Sequence, residues 1–236
     1  MSGSHFDDIA AVYDESLPAH VVEHYLAKRT AFVAELSPVG RVLDVGCGTG
    51  ALAQRLAGLG YRVAGVDPSE GMLERLRARA REVEAVQASG TALPFGEGEF
   101  DLVLTVATLH HVAEPQAVRQ TLGEMIRVSK SGGRILVWDH NPRNPYWSSL
   151  MRRVPQDVGD ERLIGEQEIL DGLRAAGGQV LSVSQLGAVP DFTPTWAIRP
   201  AAALERGFER TPYLRQLGAH NVVVARPAGQ SSEPTR

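Results

Sequence analysis

Between residues 41 and 138 the chain alternates short apolar runs with stretches of helical spacing, and this alternation constrains the fold more than any other feature. Residues 41–45, 61–66, 83–87, 100–106 and 133–138 read as strands, with helices at 51–59, 69–81 and 115–129 between them. Strands alternating with helices predict a parallel sheet with helices on both faces. A strand buried on both faces should be almost continuously apolar, as Leu102-Val103-Leu104 and Ile135-Leu136-Val137-Trp138 are.

The flanks are less regular. Residues 6–36 read as helical, a second helix starting after Pro18 and closing at Ser37-Pro38. Residues 139–160 hold three prolines and several charges. A helix follows at 166–176, and two further strands at 179–186 and 220–226 bring the total to seven. Between those strands lies an insertion, 187–218, which Pro190, Pro194, Pro200 and Pro212 cut into short helical pieces. Its Phe192, Trp196, Ile198, Phe208 and Tyr213 argue against disorder. The tail 227–236 is expected to fray. The 236 residues therefore read as one domain. Its parts are an N-terminal helical lid (6–36), a ligand-binding core (37–138) and a C-terminal half (139–226) carrying the insertion.

Composition narrows the function classes. A net charge of −4 and pI near 6.0 give no electrostatic footprint for a polyanion, so no nucleic-acid partner is expected. No apolar run approaches the roughly 20 residues that span a bilayer, so no membrane partner is expected. The N-terminal segment carries Asp7 and Asp8 where a secretory signal carries positive charge, and the single cysteine, Cys47, suits a reducing compartment. The expected setting is cytoplasmic, as monomer or homodimer.

The segment Val42-Leu43-Asp44-Val45-Gly46-Cys47-Gly48-Thr49-Gly50 sits where the first strand meets its helix. Three glycines at spacing two let the backbone turn tightly and approach a ligand without Cβ clashes. Gly46, Gly48 and Ala51 also satisfy the degenerate dinucleotide pattern, so a nicotinamide-dependent oxidoreductase is one reading. Asp44 weighs against it: a carboxylate there repels a pyrophosphate but suits a ligand carrying ammonium and sulfonium groups, as S-adenosylmethionine (SAM) does. Asp67, at the end of the second strand, can accept hydrogen bonds from both ribose hydroxyls. Pro68, Ser69 and Met72 open a helix that can border the adenine.

With Gly65-Val66-Asp67-Pro68-Ser69, Ala92-Leu93-Pro94-Phe95, Phe100-Asp101-Leu102-Val103 and Leu109-His110-His111-Val112, the chain resembles the class I SAM-dependent methyltransferases. It is most similar to the small-molecule enzymes related to ubiquinone and menaquinone methyltransferases. Phe6-Asp7 and Tyr13-Asp14 match that group's N-terminal signature. The resemblance covers residues 6 to about 138. It implies a Rossmann-like fold, SAM as methyl donor with S-adenosylhomocysteine as product, and cofactor contacts from Asp44, Gly46, Cys47, Gly48, Gly50, Asp67, Pro68, Met72, Thr105 and Tyr13. One departure stands out: the family's adenine-binding aspartate is replaced by Ser89, so Ser89, Gly90 and Thr91 inherit the adenine edge.

Methyl transfer is an in-line displacement in which the enzyme aligns the acceptor and excludes water. A base is needed only if the acceptor loses a proton. His110 and His111 follow the fourth strand and His140 the fifth, which makes all three candidates, His111 first; the plainer reading, that the pair only shapes the pocket floor, outweighs that of a base. Tyr146, Trp147 and Trp196 are candidate walls of an aromatic acceptor pocket, or core aromatics. Asn144-Pro145-Tyr146 resembles the signature of amide and adenine methylating enzymes but stands after the wrong strand. Cys47 reads as packing beneath the loop, and no Cys/His spacing points to a metal. The expected function is methyl transfer to an oxygen, nitrogen or carbon of a small-molecule substrate. A SAM-binding protein without transferase activity is the remaining alternative.

Overall fold

The computed structural model describes residues 3–228 except Ala113, Pro155, Val158 and Asp160; residues 229–236, most of the expected frayed tail, lie outside the described residues. Its sheet has seven strands: β1 (Arg41–Val45), β2 (Arg62–Asp67), β3 (Glu84–Gln87), β4 (Phe100–Val106), β5 (Ser129–His140), β6 (Gly178–Leu186) and β7 (His220–Pro227). Their order across the sheet is β3-β2-β1-β4-β5-β7-β6. β1 to β5 pair in parallel and β7 runs antiparallel to both its neighbours, so the sheet is mostly parallel, as the alternation implies.

The helices are α1 (Gly3–Ile9), α2 (Ala19–Leu36), α3 (Ala51–Gly58), α4 (Glu70–Arg79), α5 (Pro115–Val128), α6 (Trp147–Leu150), α7 (Glu166–Ala175) and α8 (Ile198–Arg210). Alternate strand residues face opposite sides. Leu43, Val45, Val103, Ile135 and Val137 pack with Leu122 and Met125 of α5 and Leu173 of α7. Val42, Leu102, Leu104, Leu136 and Trp138 pack with Val33 of α2, Leu56 of α3 and Leu76 of α4. Both faces are thereby covered, which is why the central strands are apolar throughout.

Two elements differ from expectation. β5 begins at Ser129 rather than at 133, because an irregular register at Phe100/Leu102 lets residues 129–133 continue the ladder. In the insertion, Pro200 does not break the chain into pieces. It is the third residue of α8, in the first turn, where the missing N–H has no intrahelical acceptor to lose. The sequence order reverses between β1 and β4, so the crevice at their carboxyl ends is where an open sheet of this kind holds a ligand.

Candidate active site

That crevice is built around the glycine loop. Gly46, Gly48 and Gly50 have φ of +75°, +53° and +79°, in the left-handed region that side chains disfavour. Their surroundings differ. A Cβ on Gly46 would meet Thr108 at 2.2 Å, and one on Gly50 would meet Leu76 at 2.6 Å, whereas one on Gly48 would meet nothing within 4 Å. The outer two glycines permit close packing; Gly48 bares backbone to an open cavity. Asp67 ties the loop down, its Oδ2 accepting from Gly48 N at 2.9 Å and its Oδ1 from Ser69 N at 3.0 Å.

Two cavities meet here. One, of about 490 Å³, is lined by Asp67, Pro68, Met72, Ser89, Gly90 and Thr91. The other, of about 280 Å³, is lined by Arg29, Asp44, Cys47, Tyr146, Trp147 and the three candidate histidines. Tyr13, Gly46, Gly48, Ala107 and His111 line both. Ala107, between β4 and the histidine pair, has a φ of +53° without being glycine, backbone strain of a kind that gathers at functional sites.

The electrostatics of the second cavity are unusual. Asp44 is 3% exposed; burial, with the Asp67 charge adding to it and Arg29 opposing, pushes its carboxyl up to about 7. Arg29 reaches in from α2, and its Nε has no hydrogen-bond partner among the described residues. Burial holds its guanidinium below the ordinary range. A guanidinium whose Nε has no partner among the described residues, lining the same cavity as a carboxylate that resists ionisation, suits a zwitterionic ligand with a group for each. The Cys47 thiol is pushed up by burial and by Asp44 and Asp67, which keeps it protonated, and it packs against the backbone at Gly65.

The N-terminal segment closes over these cavities through the acids of its two aromatic–aspartate pairs. Asp7 Oδ1 accepts from Ser69 Oγ at 2.6 Å and Gly71 N at 2.9 Å, capping α4 from outside. Asp14 Oδ1 accepts from Thr49 Oγ1 at 2.7 Å, and Arg79 pairs with its other oxygen. The rings beside these acids form a roof: Phe6 meets His111 edge-on at 5.0 Å and Tyr13 at 6.4 Å.

The histidines form a stack. His110, 2% exposed, places Nδ1 2.8 Å from Asp139 Oδ1. Its ring lies 3.9 Å from His140, which lies 3.5 Å from Trp147. Asp139 also accepts backbone N–H groups from Thr108, Leu109 and His140, and, against burial, its contact with His110 and these bonds hold its carboxyl below the usual range. Burial drives His111 down to about 2 and His140 well below its ordinary value. One potential ligand atom from each of His110, His111 and Asp157 lies within 4.8 Å of the others. His111 Nδ1, His140 Nδ1, Gln156 Oε1 and Asp157 Oδ1 have no partner among the described residues.

Three expected site residues lie elsewhere. Thr105 is fully buried, and its hydroxyl donates to Val45 O at 2.9 Å, tying β4 to β1 and lining neither cavity. Gly50 serves the packing of α3 on α4 and also lines neither. Trp196 is 82% exposed and away from both cavities. Ser89, in the aspartate's place, pairs its hydroxyl with Thr91 Oγ1 at 2.8 Å on the rim. Conversely, sequence reasoning passed over Arg29, Asp139 and Asp157. Arg29 leaves no local signal, being one arginine in an ordinary amphipathic helix. Asp139 gave one, an acid ending an apolar strand beside His140.

Comparison with known proteins places these motifs. A methyltransferase-domain model matches residues 43–137. The demethylmenaquinone methyltransferase of Clavibacter sepedonicus is 39% identical over 137 residues, 56% of this chain and 55% of that one. That of Renibacterium salmoninarum is 32% identical over 164 residues, 63% of this chain and 68% of that one. The chain thus spans between about half and two thirds of the length of these relatives. Among solved structures, a SAM-dependent methyltransferase of Thermotoga maritima, described as a possible histamine N-methyltransferase, superposes with a TM-score of 0.69. The identity there is 23%, over 94% of this chain and 98% of that one, and the likeness is one of fold.

Proposed function

Because the chain belongs to the class I SAM-dependent methyltransferases of the type related to the demethylmenaquinone enzymes, we propose that it transfers the methyl group of SAM to an oxygen or nitrogen of a small acceptor held beside the histidine stack. The observation that carries this reading is the junction of two cavities at Gly46, Gly48, Ala107, Tyr13 and His111. A donor lodged on the Asp67 side would present its reactive end to an acceptor on the His110 side.

The residues present fit SAM. The bare backbone at Gly48 and the carboxylate of Asp67 would hold the ribose, and Met72, Ser89 and Thr91 would border the adenine. Asp44 and Arg29 would meet the ammonium and carboxylate of the methionine end. When bound, SAM supplies an electrophilic methyl group on a sulfonium. The chain's own part is to hold the acceptor against it, to exclude water under Phe6 and Tyr13, and to take a proton. For the last task the geometry favours His110 over the initially preferred His111. Asp139 Oδ1 lies 2.8 Å from His110 Nδ1 and orients that ring, whereas His111 Nδ1 has no partner among the described residues and burial makes its ring resist protonation.

Trp147 and Tyr146 wall the acceptor cavity, which supports an aromatic or otherwise apolar acceptor such as a phenol. A cytoplasmic setting, as monomer or homodimer, accords with Cys47 being the only cysteine. The direct test is incubation with SAM carrying a labelled methyl group and a small-molecule extract of the source organism, followed by mass spectrometry. A labelled product that disappears with the His110→Ala variant supports the reading. Consumption of SAM by no fraction overturns it.

A further inference from the structure

The insertion gathers exposed apolar side chains that are otherwise scattered singly among the described residues. Phe192, Trp196, Leu204 and Tyr213 are 71%, 82%, 76% and 85% exposed, and Leu214 and Leu217 about half. They are neighbours: a 3₁₀ turn at Thr195–Ala197 leads directly into α8, and a second at Leu214–Leu217 packs against that helix. A patch of this kind marks an interaction site.

Its charges are sorted. Residues 187–218 contain three carboxylates, and all three are turned inward. Glu205, 3% exposed, accepts from Ala188 N and from Lys28 Nζ, both at 2.7 Å, and lies 3.0 Å from His24 Nε2. Glu209 pairs with Lys28 and accepts from Gly187 N at 2.7 Å. Asp191, largely buried, accepts from Tyr146 Oη. The acids thus fasten the insertion to α2 and to the acceptor cavity, while Arg199, Arg206, Arg210 and Arg215 are all exposed. At about 100° per residue, Arg199, Arg206 and Arg210 fall on one stripe of α8, beside a stripe of Pro200, Ala203, Leu204 and Gly207.

We infer that this face of the insertion docks the protein on an anionic lipid bilayer. Aromatic and aliphatic side chains flanked by arginines, with every local carboxylate turned away, complement a headgroup layer over an apolar interior. The net charge of the whole chain is −4, so a face whose exposed charges are all arginine is a local feature. The sequence-based expectation of no membrane partner rests on the lack of a spanning segment, which a helix lying on the surface does not need. Phe192 meets the Tyr146 ring at 5.9 Å, and Val189 and Asp191 line the acceptor cavity. Docking therefore brings the wall of that cavity formed by Val189 and Asp191 close to the bilayer; only this consequence rests on the methyltransferase reading.

Trp196 supplies the probe, since Trp138 and Trp147 are 0% and 8% exposed. The full chain is titrated with phosphatidylcholine vesicles containing about one third phosphatidylglycerol, with tryptophan emission and co-sedimentation as readouts. The expected result is a blue shift with co-sedimentation that weakens at high salt and with neutral vesicles. The Arg206→Glu/Arg210→Glu variant should bind at least about tenfold more weakly, and Trp196→Ser should lose the blue shift. Absence of binding at low salt, or binding that the double variant leaves unchanged, overturns the inference. Dimerisation that Leu204→Glu abolishes, without vesicle binding, assigns the face to a second copy and equally overturns it. S-adenosylhomocysteine binding by the same samples keeps this outcome separate from any failure of the transferase reading.

Discussion

His110 Nδ1 lies 2.8 Å from Asp139 Oδ1, and the same carboxylate accepts the backbone N–H groups of Leu109 and His140. One buried anion thus orients the His110 imidazole and fixes both segments that carry the histidines. Removal of the base should lower kcat in His110→Ala by about 10²–10⁴-fold while SAM affinity stays within about twofold. Asp139→Asn should lie between that variant and wild type, because the amide keeps the size but not the charge. Steady-state kinetics with calorimetry checks this. A His110→Ala enzyme retaining more than about a tenth of kcat would leave proximity and desolvation as the source of rate.

Asp67→Ala removes the acceptor of Gly48 N and Ser69 N as well as the ribose contact proposed for it. A loss of about 2–3 kcal/mol, or thirty- to hundredfold in SAM affinity, is expected. Calorimetry giving an unchanged dissociation constant removes Asp67 from the donor site.

Asp44 trades stability for binding. Its folded-state pKa of about 7 stands above the ordinary 3.8, so the native state holds the proton more tightly than the unfolded chain does. Its contribution is therefore full below about pH 4 and is lost as pH rises through 7. Asp44→Asn should stabilise the ligand-free protein at pH 8 by about 1–3 kcal/mol, several degrees in Tm. The same change should weaken SAM binding. Calorimetric melts with and without ligand separate the two effects, and a lowered ligand-free Tm contradicts the account.

His111 and His220, held down to about 2 and about 3, make the fold acid-sensitive together with His140, whose depression shares their main cause in burial. Each favours the neutral native state, so stability present above pH 6.5 is lost as pH falls toward the folded-state values, by up to about 1.4 kcal/mol per unit and group. Urea unfolding at pH 7 and pH 5 should show the loss, and His220→Gln should reduce it. A flat profile excludes that protonation cost.

The sheet was legible because each central strand is buried on both faces, which leaves a continuous apolar run with a glycine or acid at its end. Asp44, Gly48 and Asp67 drew notice for a related reason: each stands at or near the end of a strand, and the structure sets all three on the wall of a cavity. Thr105 was misassigned because a hydroxyl in the last turn of a strand can bond a neighbouring strand as easily as a ligand, and sequence does not distinguish the two. Trp196 was misassigned because aromatic content signals burial and contact alike. Arg29 depends on where α2 lies against the sheet, its guanidinium standing over the Trp138 ring, and the choice of His110 over His111 on a hydrogen bond to Asp139, 29 residues further along the chain. No local pattern records which imidazole Asp139 will meet.

The central claim is that the paired cavities hold a SAM-type donor beside an acceptor, and titration of S-adenosylhomocysteine and of NADH into the protein by calorimetry tests it most directly. The account predicts one equivalent of S-adenosylhomocysteine bound at about micromolar affinity, roughly −8 kcal/mol, weakened in both Asp67→Ala and Asp44→Asn, with no heat from NADH. Saturable NADH binding without S-adenosylhomocysteine binding would contradict it and return the glycine loop to a dinucleotide.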